Sequence, residues 1–503
     1  MNSRKGIFVI LLLLFVMMTA AAEDQSRPMG CRRGTPRPAS MMRRAHGLPW
    51  QCGGDFYKGT RHQLVVLAAF KDRSFKGDED ATLQQWDKIF NTRNLSEEPF
   101  YGSVRDYFYA QSYGQFELVF DLQYVQLNDS CKKYRSTKDE DENSQYLVDD
   151  ALDQLLLRNI DWSLYDWNGD GFINQLLFVY AGKGSSYGGF GGDSNSIWPH
   201  QWRMSEHSDL SAIEQNLYRE PHYFDQGGKT YAVDSYCAVQ EIGHFGGYDS
   251  FGIICHEFTH CFGFPDFYYQ STKHVGSWDL MDSGNYCGDG YCPVGYSAHE
   301  RWLMGWLEPV ELTAPTTVAD MPPLSEEGLA YLIRNDGYSN EYYIVENRQP
   351  SGFDAQLPGA GVVIFHIDYD ESIWTSFEES PNNPQTQRYT IFPANNKALK
   401  SQSGWAYPYQ DNNSLTDTSQ PAAQLWHARN DSILLMSKPL TNMAVDSCGL
   451  ASFDFMKDAS AIQTVKYTSV ANEQWFDLQG RQLSGRPQRK GLYIVDGRKV
   501  VVR

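Results

Sequence analysis

Apart from one run near its start, the sequence contains no apolar stretch approaching the ~20 residues that a membrane-spanning helix needs. That run, Ile7–Met18, is itself short for a span. Positive charge is also scarce: 43 Lys and Arg stand against 62 Asp and Glu, for a net charge of −19. Such a balance argues against nucleic acid or an anionic membrane surface as partner and otherwise favours solubility. No internal repeat of solenoid type is present. The segment "GKGSSYGGFGGDSN" (182–195) is rich in glycine but lacks the order of a phosphate-binding loop, and is read as a flexible loop over a cleft.

What is present is the composition of a folded globular chain, 41% hydrophobic and 14% aromatic, and 503 residues suggest two to four domains. Arg4 and Lys5 precede the apolar run, and "TAAAED" follows it. A basic start, a short apolar core and small residues predict a secretory signal peptide over residues 1–22, and hence a secreted or cell-surface protein with no transmembrane segment in its mature form. No cysteine follows the small residues, so a lipid anchor there is not expected. In an exported protein most of the nine cysteines can pair, but an odd number leaves at least one without an intramolecular partner. Cys287 and Cys292, in "YCGDGYC", bracket a tight glycine-containing loop and are the easiest pair to expect.

Residues 23–60 are rich in Arg, Pro and Gly without apolar periodicity, and read as a pro-segment or N-terminal arm. From Arg61 the pattern changes. "HQLVVLAAF" (62–70) and "INQLLFVYAG" (173–182) read as buried strands, 82–90 and 146–158 as helices, and 102–125 as a helix, a glycine turn and a strand. This alternation predicts an α/β or α+β catalytic domain over 61–310. Residues 311–457 hold "EYYIVENRQ", "GVVIFHIDYD" and "QRYTIFPA", three strands between Pro, Gly and Asn turns, and read as a β-rich domain. A short β segment over 461–503 closes the sequence.

The chemistry-bearing stretch is "CHEFTHCFGFPD", Cys255–Asp266. On a helix, positions i and i+4 share a face, so His256 and His260 can present two imidazoles to one ion. Glu257 would sit beside that ion, where it can accept a proton from an activated water. A catalytic zinc usually takes three protein ligands and an open position. Gly263 can end the helix in the left-handed conformation, Pro265 discourages its continuation, and Asp266 can then turn back as third ligand. A core helix with satisfied histidines is the plain alternative. A closed four-ligand zinc site using Cys255 or Cys261 is another, but it would leave Glu257 without a role, and disulfide or buried roles are preferred for those two cysteines.

The pattern HExxHxxGxPD resembles the metzincin-type zinc peptidases, and the surrounding text resembles the immune inhibitor A family (peptidase family M6). "SWDLMDSGNY" (277–286), "YSAHERWLMGWLEP" (296–309), "YDWNGDGFINQLLFVYAGKG" (165–184), "IWPHQW" (197–202) and "YYIVENRQPSGFDAQLPGAGVVIFHID" (342–368) carry the resemblance in order over roughly residues 60–455. It implies an α+β, zincin-like catalytic domain followed by a β-rich, sandwich-like domain. It also implies a zinc endopeptidase acting on proteins or peptides, with His256, His260 and Asp266 on Zn2+, Glu257 as general base, and Met281 in the turn beneath the metal. Many metzincins use a third histidine where this chain has Asp266, and Cys261 stands where the family usually has a plain apolar residue. Tyr286 is a candidate oxyanion donor and otherwise a packed tyrosine. Glu241, His244 and His200 read as wall or network residues.

"DWNGDGFIN" begins like a calcium loop, with Asp166, Asn168 and Asp170 at the first three ligand positions. Leu177 stands where the twelfth-position glutamate belongs, so a standard EF-hand is excluded. A Ca2+ site completed from elsewhere, such as Asp161, is weighed against a metal-free Asx-Gly turn. Cys31 or Cys52 in the arm can be disulfide-bonded, or can confer latency of the kind some metzincins use. The tail, 461–503, resembles C-terminal segments of exported proteins, including those read by the type IX secretion machinery, against an ordinary β-hairpin. The competing functional readings are a secreted adhesin or binding protein on a degenerate peptidase scaffold, and a metallohydrolase acting on sugars or esters.

Overall fold

A computed structural model describes residues 56–457 apart from 136–142, 187–192, 207–219, 244–245, 249–250, 270–271, 273, 376–379 and 399, together with the backbone of three strands within 475–502. The signal segment, nearly all of the arm with Cys31 and Cys52, His244 and half of the glycine-rich loop lie outside the described residues. No helix among the described residues is long and apolar enough to cross a membrane.

The unbroken apolar run after Gln63 forms the inner strand of a mostly parallel sheet, as continuous hydrophobicity on both faces predicts. Strand β1 (Gly59–Ala69) pairs in parallel with β2 (Phe116–Gln126) and with β4 (Leu176–Lys183). A short strand, β3 (Phe172–Ile173), precedes β4 and joins a small sheet with β6 (His222–Gln226) and β7 (Lys229–Val233). The main sheet continues through β8 (Ser235–Ile242) to an antiparallel edge, β5 (His200–Arg203), giving the order β2-β1-β4-β8-β5. Alternate residues of β1 feed two cores. Leu64, Val66 and Ala68 pack against helix α3 (Gln145–Leu155), the third in the chain. Val65, Leu67 and Ala69 face α1 (Glu79–Asn91), α2 (Val104–Gln111) and α4 (Phe251–Cys261). Phe56 and Tyr57 are buried in that second core.

Every residue of α4 is buried. Its other flank meets α5 (Ala298–Leu303) and the region beyond. There β9 (Val310–Glu311), β11 (Tyr331–Arg334), β12 (Glu341–Arg348), β13 (Gly361–Asp368) and β14 (Tyr389–Ile391) form a five-stranded sheet in the order β14-β13-β12-β11-β9. The expected strand at 387–394 is shorter than its pattern because Arg388 N donates to the Pro381 carbonyl at one end and Ala394 N to the Trp405 carbonyl at the other, instead of to β13. A short helical turn, α6 (Glu371–Trp374), precedes β14. One face of this sheet, through Ile344, Val363, Phe365 and Tyr389, joins the same apolar cluster as α4. Its other face packs on β10 (Thr316–Met321), β15 (Leu440–Val445) and β16 (Ala451–Phe455). The chain is thus mixed α and β and rich in sheet, and the described residues 56–457 form one compact unit. The second unit, 463–503, contains a separate antiparallel sheet of β17 (Trp475–Phe476), β18 (Gly491–Val495) and β19 (Arg498–Val502).

Candidate metal centre

Helix α4 ends where the sequence places its stop. Gly263 has φ +101°, and its N–H donates to the carbonyl of His260 at 2.8 Å. The chain then reverses and brings Asp266 back over the helix. His256 Nε2 lies 3.2 Å and His260 Nε2 3.4 Å from the same oxygen, Asp266 Oδ1. Among the described residues this trio is the one cluster of His, Cys, Asp and Glu able to hold a metal ion.

The tautomers follow from the partners. His256 Nδ1 contacts the Leu280 carbonyl at 2.8 Å, and His260 Nδ1 contacts the Phe264 carbonyl at 2.7 Å. A carbonyl can only accept, so both Nδ1 atoms carry hydrogen and both neutral rings present Nε2 lone pairs inward. Three acceptor atoms therefore converge. His260 Nε2 and Asp266 Oδ1 are buried without a hydrogen-bond partner. With both rings neutral such a set calls for a cation between its atoms; without a metal ion, a proton on an imidazole serves instead. Burial works to lower the basicity of His256, but the Asp266 carboxylate overrides it and holds the pKa up to about 9. Burial likewise works to raise Asp266, and the imidazoles hold it well below the usual carboxylate range. The spacing fits a metal. Tetrahedral bonds of about 2.0–2.1 Å place neighbouring donors about 3.3 Å apart, against the 3.2 and 3.4 Å found. The N/N/O donor set is one that zinc accepts.

Around this trio, Glu257 is buried and close enough that its charge also raises His256. Met281 is buried in the turn whose Leu280 carbonyl orients His256, and the Met281 carbonyl accepts from Phe267 N at 2.9 Å. Tyr286 is 56% exposed. It lies in the turn Gly284–Gly290, whose backbone packs on Gly252, one helical turn before His256.

Two other readings take definite positions. In the 166–171 loop, Asp166 Oδ2 accepts from Gly171 N at 3.0 Å and from the Lys229 ammonium at 2.5 Å, and Asp170 Oδ1 accepts from Phe172 N at 2.8 Å. Lys229 thus places a positive charge on the loop, while Asp166 Oδ1 is buried without a hydrogen-bond partner. The disulfide expected between Cys287 and Cys292 is corrected: both are free thiols. Cys287 Sγ points to the Ser277 carbonyl and Cys292 Sγ to the Phe353 carbonyl, because the intervening Gly288 and Asp289 turn through positive φ. Cys255 and Cys261 are free and buried in the core, the second of the two roles expected for them, disulfide or buried. Glu241 accepts from Lys76 N and Gly182 N, and His200 bonds the Trp198 carbonyl and Tyr236 hydroxyl, so both are network residues.

With this geometry in view, comparison with known sequences is informative. Residues 76–304 match the profile described as "Immune inhibitor A peptidase M6, catalytic domain". The resemblance to the immune inhibitor A peptidases holds. "Immune inhibitor A" of Bacillus thuringiensis subsp. alesti is 31% identical over 176 residues, 31% of this chain and 24% of its own length. "Pre-pro-metalloprotease PrtV" of Vibrio cholerae serotype O1 (strain M66-2) is 29% identical over 184 residues, 33% of this chain and 19% of its own. The aligned region is thus a quarter or less of either relative. The M6 match covers all three converging side chains, Glu257 and Met281, and stops before β9. Sequence reasoning missed residues beyond it that hold the backbone around the centre, among them Ser380, Asn382 and Tyr389. They sit in a Pro/Asn-rich turn and a short strand, with no motif to mark them.

Proposed function

We propose that the chain is a secreted zinc endopeptidase that hydrolyses peptide bonds of protein substrates. The observation that carries this reading is the convergence of His256, His260 and Asp266 on one point beside Glu257, inside the M6 match. The three side chains would hold Zn2+, and the Nδ1–H donors to Leu280 and Phe264 fix the rings for it. When bound, zinc supplies Lewis acidity that polarises a peptide carbonyl and makes water acidic near neutral pH. The Glu257 carboxylate takes the proton of the attacking water and delivers it to the leaving amine nitrogen. The Tyr286 hydroxyl, on an exposed turn next to the metal-facing stripe of α4, donates to the developing oxyanion. In this reading 61–310 is the zincin-like catalytic domain, 311–457 the β-rich domain, and 461–503 a segment recognised during export. A binding protein on this scaffold would have no use for a buried carboxylate at 257.

The test is casein cleavage by purified chain, with and without chelator, beside Glu257→Ala. The variant should retain one zinc per chain and lose about 10²–10⁴-fold in kcat, the contribution expected of a general base. Activity that survives the substitution, or is indifferent to the chelator, removes the mechanism.

A further inference from the structure

The M6 match ends at residue 304, yet the metal centre does not. The third ligand, Asp266, stands on irregular chain between the end of α4 and the Met281 turn. No ladder fixes irregular backbone, so its carbonyls must find partners elsewhere. They find them more than 110 residues downstream. Asn382 is fully buried, and its Nδ2 donates to the Phe267 carbonyl at 2.8 Å and to the Tyr389 carbonyl at 2.7 Å, while its Oδ1 accepts from Tyr389 N at 3.0 Å. Ser380 Oγ donates to the carbonyls of Asp266 and Tyr268, each at 3.4 Å. The Tyr389 ring stacks on Phe267 with centroids 4.0 Å apart. Its hydroxyl reaches Asp279 Oδ2 at 2.9 Å and Ser297 Oγ at 2.8 Å. Asp279 Oδ1 in turn accepts from Met281 N at 2.8 Å, fixing the turn whose Leu280 carbonyl orients His256.

We propose that the 380–391 segment positions the metal centre: Asn382 and Ser380 fix the backbone that carries Asp266, and Tyr389 fixes the 279–281 turn that orients His256. This deepens the zinc-peptidase reading and rests on it. Asn382 and Tyr389 are positioning residues, since neither approaches the ligand atoms. The segment acts on two of the three ligands through the two adjoining stretches of backbone, and the Phe267 N–H to Met281 carbonyl bond ties those stretches to each other. Loss of the segment's grip loosens the Asp266 oxygen relative to both imidazoles without removing a ligand.

The test uses the full-length chain, stripped by chelator and titrated with zinc against a chromophoric competitor at fixed pH, as wild type, Asn382→Ala and Tyr389→Phe. Asn382→Ala leaves three buried backbone groups without partners and can fail to fold. Tyr389→Phe keeps the ring and its stack on Phe267 and removes only the hydroxyl, so it decides the matter alone if need be. The expected result is zinc affinity weakened about 10–100-fold, the usual effect of removing a group that orients ligands. The unfolding temperature of the stripped protein should stay within a few degrees of wild type, and kcat should fall with KM unchanged. Zinc affinity of Tyr389→Phe equal to wild type overturns the proposal. So does a loss of affinity that merely tracks lost stability of the stripped protein, because that is ordinary packing. A wild-type chain that takes up no zinc is a different result: it overturns the metal-centre reading itself and this proposal with it.

Discussion

Replacing Gly252 with alanine tests how tightly the metal-bearing helix is seated. Glycine to alanine within a helix ordinarily stabilises by about 1 kcal/mol, and the φ of Gly252 is not in the left-handed region, so local conformation gives no reason against the change. Packing does. A Cβ at 252 would lie 1.9 Å from the Asn285 carbonyl oxygen, 3.0 Å from its carbon and 3.2 Å from the Gly290 oxygen, where ordinary contact begins at 3.4 Å. All three atoms are backbone, so no side-chain rotation relieves the overlap. Helix and turn must separate by roughly 1.5 Å, the shortfall against normal carbon–oxygen contact. Overpacking of this kind costs about 1–3 kcal/mol, at times more, and a backbone clash belongs at the upper end. The helix gain therefore does not win, and the variant should be less stable by about 2 kcal/mol. The damage should also reach the metal. Residues 252, 256 and 260 lie one turn apart on a single stripe, and donor positions tolerate only about ±0.2 Å. Thermal unfolding of stripped protein and competitive zinc titration of Gly252→Ala should both fall below wild type, by several degrees and by tenfold or more. A variant as stable as wild type, with unchanged zinc affinity, would refute the reasoning from this contact.

Two further perturbations address the polar network under the centre. Arg348 is fully buried, with Nε and Nη2 on Asp354 and Nη1 on Glu346. Arg348→Met leaves two buried carboxylates without their shared cation and should cost about 3–5 kcal/mol in urea unfolding; a cost below 1 kcal/mol would mean that the network relaxes freely. Burial pushes the Asp279 carboxyl up to about 7, against the Met281 N–H and Tyr389 hydroxyl that pull it down. The folded state therefore holds a proton that the unfolded state releases near 3.8, and this group's contribution to stability falls as pH rises from 3.8 through about 7. Asp279→Asn, which cannot ionise, should match wild type near pH 4 and gain on it steadily up to pH 7; a stability difference flat in pH would remove Asp279 as the source.

The part of the centre legible in the sequence was the part built from local geometry. Helical periodicity put His256 and His260 on one face, and Gly263 ends the helix in the left-handed region as its lack of Cβ allows. Asp266, six residues on, completes the trio. Buried strands such as Gly59–Ala69 and Leu176–Lys183 were visible because both faces are covered and the apolar run is unbroken. What stayed hidden depends on contacts between distant segments. Lys229, 63 residues from Asp166, sets its ammonium against the loop whose acidic residues read as a candidate cation site. Cys287 and Cys292 are close in sequence, but positive φ at Gly288 and Asp289 sends their thiols to different carbonyls. Asn382 carries no local signature, because a buried asparagine bonding three backbone groups is spelled the same way as one in a surface turn.

That difference bears on why the metal centre spans two sheets. A helix fixes its own side chains through its ladder, so His256 and His260 need little help beyond the carbonyls at Nδ1. Asp266 has no such support: it follows a proline on a return stretch, and its carboxylate must be held against two imidazoles within a few tenths of an ångström. A short segment of a second sheet reaches that backbone through Asn382 and the Tyr389 ring. The shared apolar cluster suits the proposed support, since a support that moved independently of α4 would not hold the proposed metal ligand within a narrow tolerance.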